Sequence, residues 1–270
     1  LVSGLQFQPL EIQTDRLIVE HCKVARYQII LAYDGTGLSG SQRQATARTA
    51  QSELERALRS LGWPGSSILL AGRTDAGVHA SGQVAAFDLE WNHPLDALVR
   101  ALNSNLPAEM AVSAAKVVSD DFHPRFDATS RRYCYRLFSQ PVRAPLRERY
   151  AWRLWPALDG DALQAAAKHL LGKHDFAAFG TPPRPGSSTI RTVRQAEWHN
   201  QGDEWTFSVQ AEAFLYHMVR RLVFVQVAIG QGKFPAEVIA ALLEDRHRVV
   251  FPAGLAPAHG LTLVEVTYPE

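Results

Sequence analysis

Apolar residues in this chain follow two rhythms: short runs of strand length, and positions three or four residues apart. The runs Tyr27 to Tyr33, Ile68 to Ala71, Val84 to Leu89, Met110 to Val118 and Arg132 to Phe138 predict strands. Leu54, Ala57, Leu58 and Leu61 share one side of a helix predicted over 49–61, with Thr49 as its N-cap. Pro94 suits the first turn of a second helix carrying Leu95, Leu98, Val99 and Leu102. The stretch 139–158, with Pro141, Pro145 and Pro156, reads as the crossing between two halves. Beyond it the pattern predicts a helix from Asp161 to Leu171 closed by Gly172, then a proline- and glycine-rich loop from Thr181 to Ser188. Two strands around Asn200-Gln201-Gly202-Asp203, a helix over 214–229, a shorter helix opening on Pro235 and a last strand from Leu261 to Tyr268 complete the chain. Residues 1–25 show no period and form an N-terminal extension. Strands that follow one another without a helix pair antiparallel, so the expected fold is α+β. Each half, 26–150 and 151–270, resembles a ferredoxin-like sandwich of an antiparallel or mixed sheet with helices on one face.

Chemistry concentrates in the loop Ala71-Gly-Arg-Thr-Asp-Ala-Gly-Val-His79. Gly72 and Gly77 let the backbone turn sharply or approach a ligand closely. Arg73 offers donors suited to phosphate or a base edge, and Asp75 offers a carboxylate. Two readings stand side by side: an active-site tip, or a turn in which Asp75 bonds its own backbone. On the predicted helix over 214–229, Ala213, Tyr216, Arg220, Val223 and Val227 fall on one face. Arg220 in an apolar stripe must snorkel out or pair, and Asp75 is the best partner. Arg221, one position round, is expected to reach solvent.

Composition narrows the classes. At 46% hydrophobic and 20% charged residues the chain has the make-up of a soluble globular enzyme. Cys22 and Cys134 form no Cys-x-x-Cys pair, and the ten histidines form no His-Glu-x-x-His, so no metal is expected. The first residues lack a signal-peptide pattern and Phe214 to Ile229 is too short and too charged to span a bilayer, which predicts a cytoplasmic protein without membrane contact. Net charge is only +1, yet Arg125, Arg131, Arg132, Arg136, Arg143, Arg147, Arg149 and Arg153 lie between Asp121 and Arg153. Interleaved with Tyr133, Tyr135, Tyr150 and Trp152, this stretch is either a surface that holds phosphates and stacks bases or a solvated charged strand face. Gly35-Thr-Gly37-Leu-Ser-Gly40 matches Gly-x-Gly-x-x-Gly after a strand. It raises the alternative of an NAD(P)- or flavin-binding oxidoreductase, but Ser41 to Arg48 intervene where that fold opens its helix.

Seven segments carry a resemblance: Tyr33-Asp-Gly-Thr-Gly, Gln42-Arg-Gln, Gly72-Arg-Thr-Asp-Ala-Gly-Val-His79, Asp121-Phe-His-Pro-Arg-Phe126, Arg131-Arg-Tyr-Cys-Tyr135, Ala213-Phe-Leu-Tyr-His-Met-Val-Arg220 and Gly260-Leu-Thr-Leu263. In this order, across roughly residues 26 to 268, the chain resembles the tRNA pseudouridine synthase A family. Ser41 stands where many members have Trp, Leu38 where Phe is common and Phe224 where Gly is usual. The resemblance implies the pseudouridine synthase fold, with a catalytic cleft between two halves and no cofactor. It implies Asp75 as nucleophile, Tyr133 contacting the target base and Arg220 paired with Asp75. Arg73 would help hold the extruded nucleotide, Arg125 would bind RNA and Leu261 would pack on the flipped uracil. The implied substrates are uridines at positions 38, 39 and 40 of the tRNA anticodon stem-loop, and the implied assembly is a homodimer. A carboxylate can attack uracil C6, attack C1′ or help remove the C2′ proton, and the sequence does not choose among these. A non-catalytic RNA-binding protein is the other alternative, although binding alone needs no aspartate of this kind.

Overall fold

Ten strands join in one sheet whose spatial order departs sharply from chain order. The computed structural model describes residues 24–247 and 249–269, so the expected extension 1–25 lies almost wholly outside the described residues. The strands are β1 (Val24–Tyr33), β2 (Leu69–Leu70), β3 (His79–Glu90), β4 (Met110–Val118), β5 (Ser130–Ser139), β6 (Trp152–Leu154), β7 (Gly172–Asp175), β8 (Ile190–Gln201), β9 (Glu204–Ala211) and β10 (Leu261–Thr267). The helices are α1 (Ala50–Ser60), α2 (Leu95–Asn105), α3 (Gly160–Lys168), α4 (Met218–Gly230) and α5 (Val238–Glu244). The order across the sheet is β4-β1-β3-β10-β5-β9-β8-β7, with β2 on β3 and β6 on β5. Most pairs are antiparallel, but β10 runs parallel to β3 and β6 parallel to β5, so the sheet is mixed.

Period-two alternation directs the core. Tyr27, Ile29, Leu31 and Tyr33 of β1, Tyr133, Tyr135 and Leu137 of β5, and Phe207, Val209 and Ala211 of β9 all belong to one buried apolar cluster. The central strand β3 is buried from Gln83 to Phe87, as expected of a strand with neighbours on both sides. α1 begins as the sequence predicts, with Thr49 and Ser52 forming a reciprocal capping box. Pro94 is the N-cap of α2 rather than a residue of its first turn.

Three helix boundaries differ from expectation. α3 ends at Lys168, and Gly172, with φ of 100°, opens β7 instead of closing the helix. α5 starts at Val238, three residues after Pro235. α4 starts at Met218 because the residues before it are claimed by another partner: Thr181 and Tyr216 exchange backbone hydrogen bonds at 3.2 and 2.9 Å. Ala213 and Tyr216 therefore precede the helix, and only Arg220, Val223 and Val227 of the predicted stripe are helical. The crossing segment contributes the short strand β6, and β7 also escaped the pattern, since Gly172–Asp175 has no apolar residue.

The position of β10 decides where the site lies. Thr262 and Leu263 lie opposite His79 and Ala80 at the start of β3, while Leu261 and Leu263 lie opposite Tyr135 and Tyr133 of β5. The C-terminal strand thus brings the β2–β3 loop, Tyr133 and Leu261 to one end of the sheet.

Candidate active site

Asp75 sits at the tip of the loop between β2 and β3, and its loop is fastened from four sides. Ser41 Oγ accepts a hydrogen bond from Thr74 N at 2.8 Å, and Ser41 N donates to the Thr74 carbonyl at 3.1 Å. The Tyr33 hydroxyl is 2.8 Å from Thr74 Oγ1. Gln83 Nε2 donates to the Gly72 carbonyl at 2.9 Å, and Gln83 Oε1 accepts from Gly72 N at 3.3 Å. Gly77, with φ of 79°, donates to the Leu38 carbonyl at 3.3 Å. A buried loop backbone requires such partners, so Ser41, Tyr33 and Gln83 are structural supports for the reactive tip. Gln83 was not singled out from sequence, Tyr33 only opened one motif of the resemblance, and Ser41 appeared only as a departure from it.

The glycine segment 35–40 belongs to the same support. Its first residues form a single 3₁₀ turn, Gly35–Gly37, and α1 opens only at Ala50. A side chain at Gly35 would lie 2.1 Å from the Val78 carbonyl oxygen, and one at Gly40 would lie 2.7 Å from that of Thr74. These glycines allow close packing on the Asp75 loop. No helix N-terminus meets the motif, which removes the structural basis for reading it as a dinucleotide site.

Asp75 and Arg220 meet in the lining of a cleft of about 930 Å³. Arg220 Nη1 donates to Asp75 Oδ2 at 2.8 Å, and its Nε donates to the Ala256 carbonyl at 2.8 Å. The two side chains are 16% and 19% exposed, so the pair is half-sheltered and open to a ligand. Val223 and Val227, on the same side of α4, are buried, which directs the helix toward the core with Arg220 at the cleft end. His217 Nε2 lies 3.4 Å from the same carboxylate oxygen. Arg221 is partly exposed, and its guanidinium donates to the carbonyls of Pro252 and Gly254 at 2.7 and 3.0 Å.

The other predicted residues line this cleft too: Arg73, Arg125, Tyr133 and Leu261. Tyr133 and Leu261 are buried, whereas Arg73 and Arg125 are exposed at the rim. Tyr133 meets Phe214 edge-on, with ring centroids 5.0 Å apart. Burial pushes the Tyr133 phenol well above the usual tyrosine value, with the nearby Tyr33 and Asp75 adding to it against Arg131. The hydroxyl thus keeps its proton at neutral pH and presents a donor, not a phenolate. Phe126 is 74% exposed at the rim, with the Arg125 guanidinium 5.9 Å from its ring centre.

The arginine-rich stretch is largely self-neutralised. Arg132 pairs with Glu265, Arg136 with Glu204, Arg147 with Asp203, Arg149 with Asp34, and Arg143 and Arg153 with Glu148. Arg131 is buried and donates to the carbonyls of Ala128, Glu212 and Ala71 at 3.2, 2.8 and 3.3 Å. Among the described residues, Arg125 alone of the eight lacks both a carboxylate partner and a buried carbonyl cage. Much of the stretch serves the fold, which periodicity and charge counting could not reveal.

Comparison with known proteins places these motifs in company. A family model described as tRNA pseudouridine synthase matches residues 29–127 and 166–269. A protein from Paraburkholderia xenovorans named tRNA pseudouridine synthase A is 42% identical over 245 residues, covering 91% of this chain and 90% of that one. Proteins of the same name from Myxococcus xanthus and Limosilactobacillus fermentum are 42% and 39% identical, each covering 90% of this chain and respectively 92% and 96% of their own.

Proposed function

The chain belongs to the tRNA pseudouridine synthase family, and from that premise we propose that it is an isomerase turning uridine into pseudouridine in tRNA, with Asp75 as the reacting carboxylate. The observation that carries the reading is the carboxylate of Asp75, held by Arg220 at 2.8 Å in a cleft also lined by Tyr133 and Leu261. The reaction breaks the N1–C1′ bond and joins C5 to C1′; C5 loses a hydrogen and N1 gains one, so atoms and electrons balance within the substrate. The protein's task is to bind the base, expose its reacting atoms and supply a nucleophile. A base stacked in RNA must first leave its stack and find an apolar platform. Leu261 and the Tyr133 ring provide that platform beside Asp75, and the Tyr133 hydroxyl can donate to a uracil oxygen. Arg220 donates to the Asp75 carboxylate and orients it. Arg73 and Arg125 meet the phosphates at the exposed rim, where contacts position RNA without reading its sequence.

The finer assignment extends to uridines at positions 38, 39 and 40 of the anticodon stem-loop, to a cytoplasmic homodimer, and to a division of the chain near residue 150 into two halves that share the cleft. The test is pseudouridine mapping on anticodon stem-loop RNA treated with wild-type protein and with Asp75→Asn. Conversion by the wild type and none by the variant supports the reading. Conversion by both removes Asp75 from the chemistry, and conversion by neither removes the activity from this substrate.

A further inference from the structure

Two side chains converge on one oxygen of Asp75. Arg220 Nη1 stands 2.8 Å from Oδ2 and His217 Nε2 stands 3.4 Å from it, while no side-chain donor meets Oδ1 among the described residues. His217 is also the only non-glycine residue with positive φ among those described, at 65° with ψ of 0°. Glycine or asparagine would suit that backbone better, and a histidine held there is strained. The residue precedes the first turn of α4 and its side chain makes no cap hydrogen bond, so capping does not account for it. Its ring lies against the Tyr216 ring, with centroids 3.6 Å apart and planes inclined by 30°, which fixes the imidazole's direction. Tyr216 is in turn anchored by its backbone pairing with Thr181.

We infer that His217 is a positioning residue for the reaction: with Arg220 it secures Oδ2 of Asp75, so that Oδ1 is the oxygen presented to substrate. The inference rests on the reading of Asp75 as the reacting carboxylate. Strained backbone, aromatic support and contact with the carboxylate all point the same way.

His217→Gly separates this role from a structural one, because glycine relieves the backbone strain while deleting the imidazole. The expected result is a kcat for uridine conversion lowered about tenfold, the loss of one polar contact, with KM for stem-loop RNA within about twofold and the melting temperature not lowered. His217→Asn, which tolerates the same backbone and carries a donor amide, should recover part of the lost kcat. Wild-type kcat in the glycine variant, a change confined to KM, or a fall in kcat matched by a fall in melting temperature would each overturn the inference. Imidazole ¹⁵N NMR reads the contact without turnover: the His217 ring signals should move in Asp75→Asn, and unmoved signals overturn the contact. An inactive wild type would count against the proposed function and leave the NMR measurement to judge His217.

Discussion

At the scale of single residues, the site is a carboxylate with unequal oxygens, a guanidinium shared between that carboxylate and a carbonyl, and a phenol kept protonated by burial. Asp75→Asn keeps the shape but removes the charge that accepts from Arg220 and that the proposed reaction requires. Pseudouridine formation should vanish while circular dichroism and tRNA affinity stay near wild type. Arg220→Ala leaves Asp75 and the Ala256 carbonyl without their donor. Because both side chains keep some exposure, the cost in urea unfolding should be about 1–3 kcal/mol rather than that of a fully desolvated pair, and turnover should fall as well. Tyr133→Phe retains the ring and deletes the donor. Its kcat should drop with KM little changed. Since burial raises the phenol, the wild-type rate should show no limb from Tyr133 ionisation up to about pH 10, the ordinary tyrosine value. A basic limb below that pH, absent from the phenylalanine variant, would mean the phenol works as a base after all.

At the scale of elements, the loop carrying Asp75 is only as well placed as the segments fastened to it. Ser41 is fully buried and bonds both backbone groups of Thr74. Ser41→Ala strands a buried N–H and should cost about 1–3 kcal/mol, with a loss of kcat larger than that from an equally destabilising change elsewhere. Thr49→Ala offers that comparison: it removes the capping box of α1, worth about 1 kcal/mol, without touching the loop. Equal residual activities in the two variants at matched stability would show that Ser41 only supports the fold. Boundaries were legible where local chemistry sets them, as with the Thr49 cap or the β4 run Met110–Val118. They were not where a distant partner intervenes, as Thr181 does before α4.

At the scale of the whole molecule, a net charge of +1 conceals a network in which arginines neutralise acids from distant strands. In the proposed reading, phosphate contact falls to the few cations left at the rim. tRNA binding should still weaken steeply with salt, and Arg125→Ala should flatten that slope by about one unit if it makes one phosphate contact. The network also predicts acid sensitivity. Burial alone would push Asp34 up, but hydrogen bonds from Thr36, Arg149 and Tyr150 outweigh it and hold the carboxyl well below the usual range. A depressed folded value means stability is present above the unfolded value near 3.9 and lost as pH falls through the folded one. Asp34→Asn should therefore lower the melting temperature at pH 7 and converge on wild type in strong acid. A constant difference at all pH values would assign the effect to packing.

The sequence alone determined what depends on neighbours in the chain: most strands and helices, the capped start of α1, the Gly-Arg-Thr-Asp loop, and the ordered motifs that identify the family. Tertiary structure decided what depends on partners far apart in sequence. Only the placing of β10 between β3 and β5 brings Leu261 beside Asp75 and Tyr133, and only folding shows that Ser41 fastens a loop beginning some thirty positions later. The reversed fortune of the arginines has the same origin. A guanidinium on a strand looks free until the neighbouring strand supplies its carboxylate, and strand neighbours are chosen by the burial of the whole sheet, not by local pattern. His217 marks the limit most clearly. Its positive φ and its reach to Asp75 occur beside the pairing of residues 181 and 216, a long-range contact that no periodicity records.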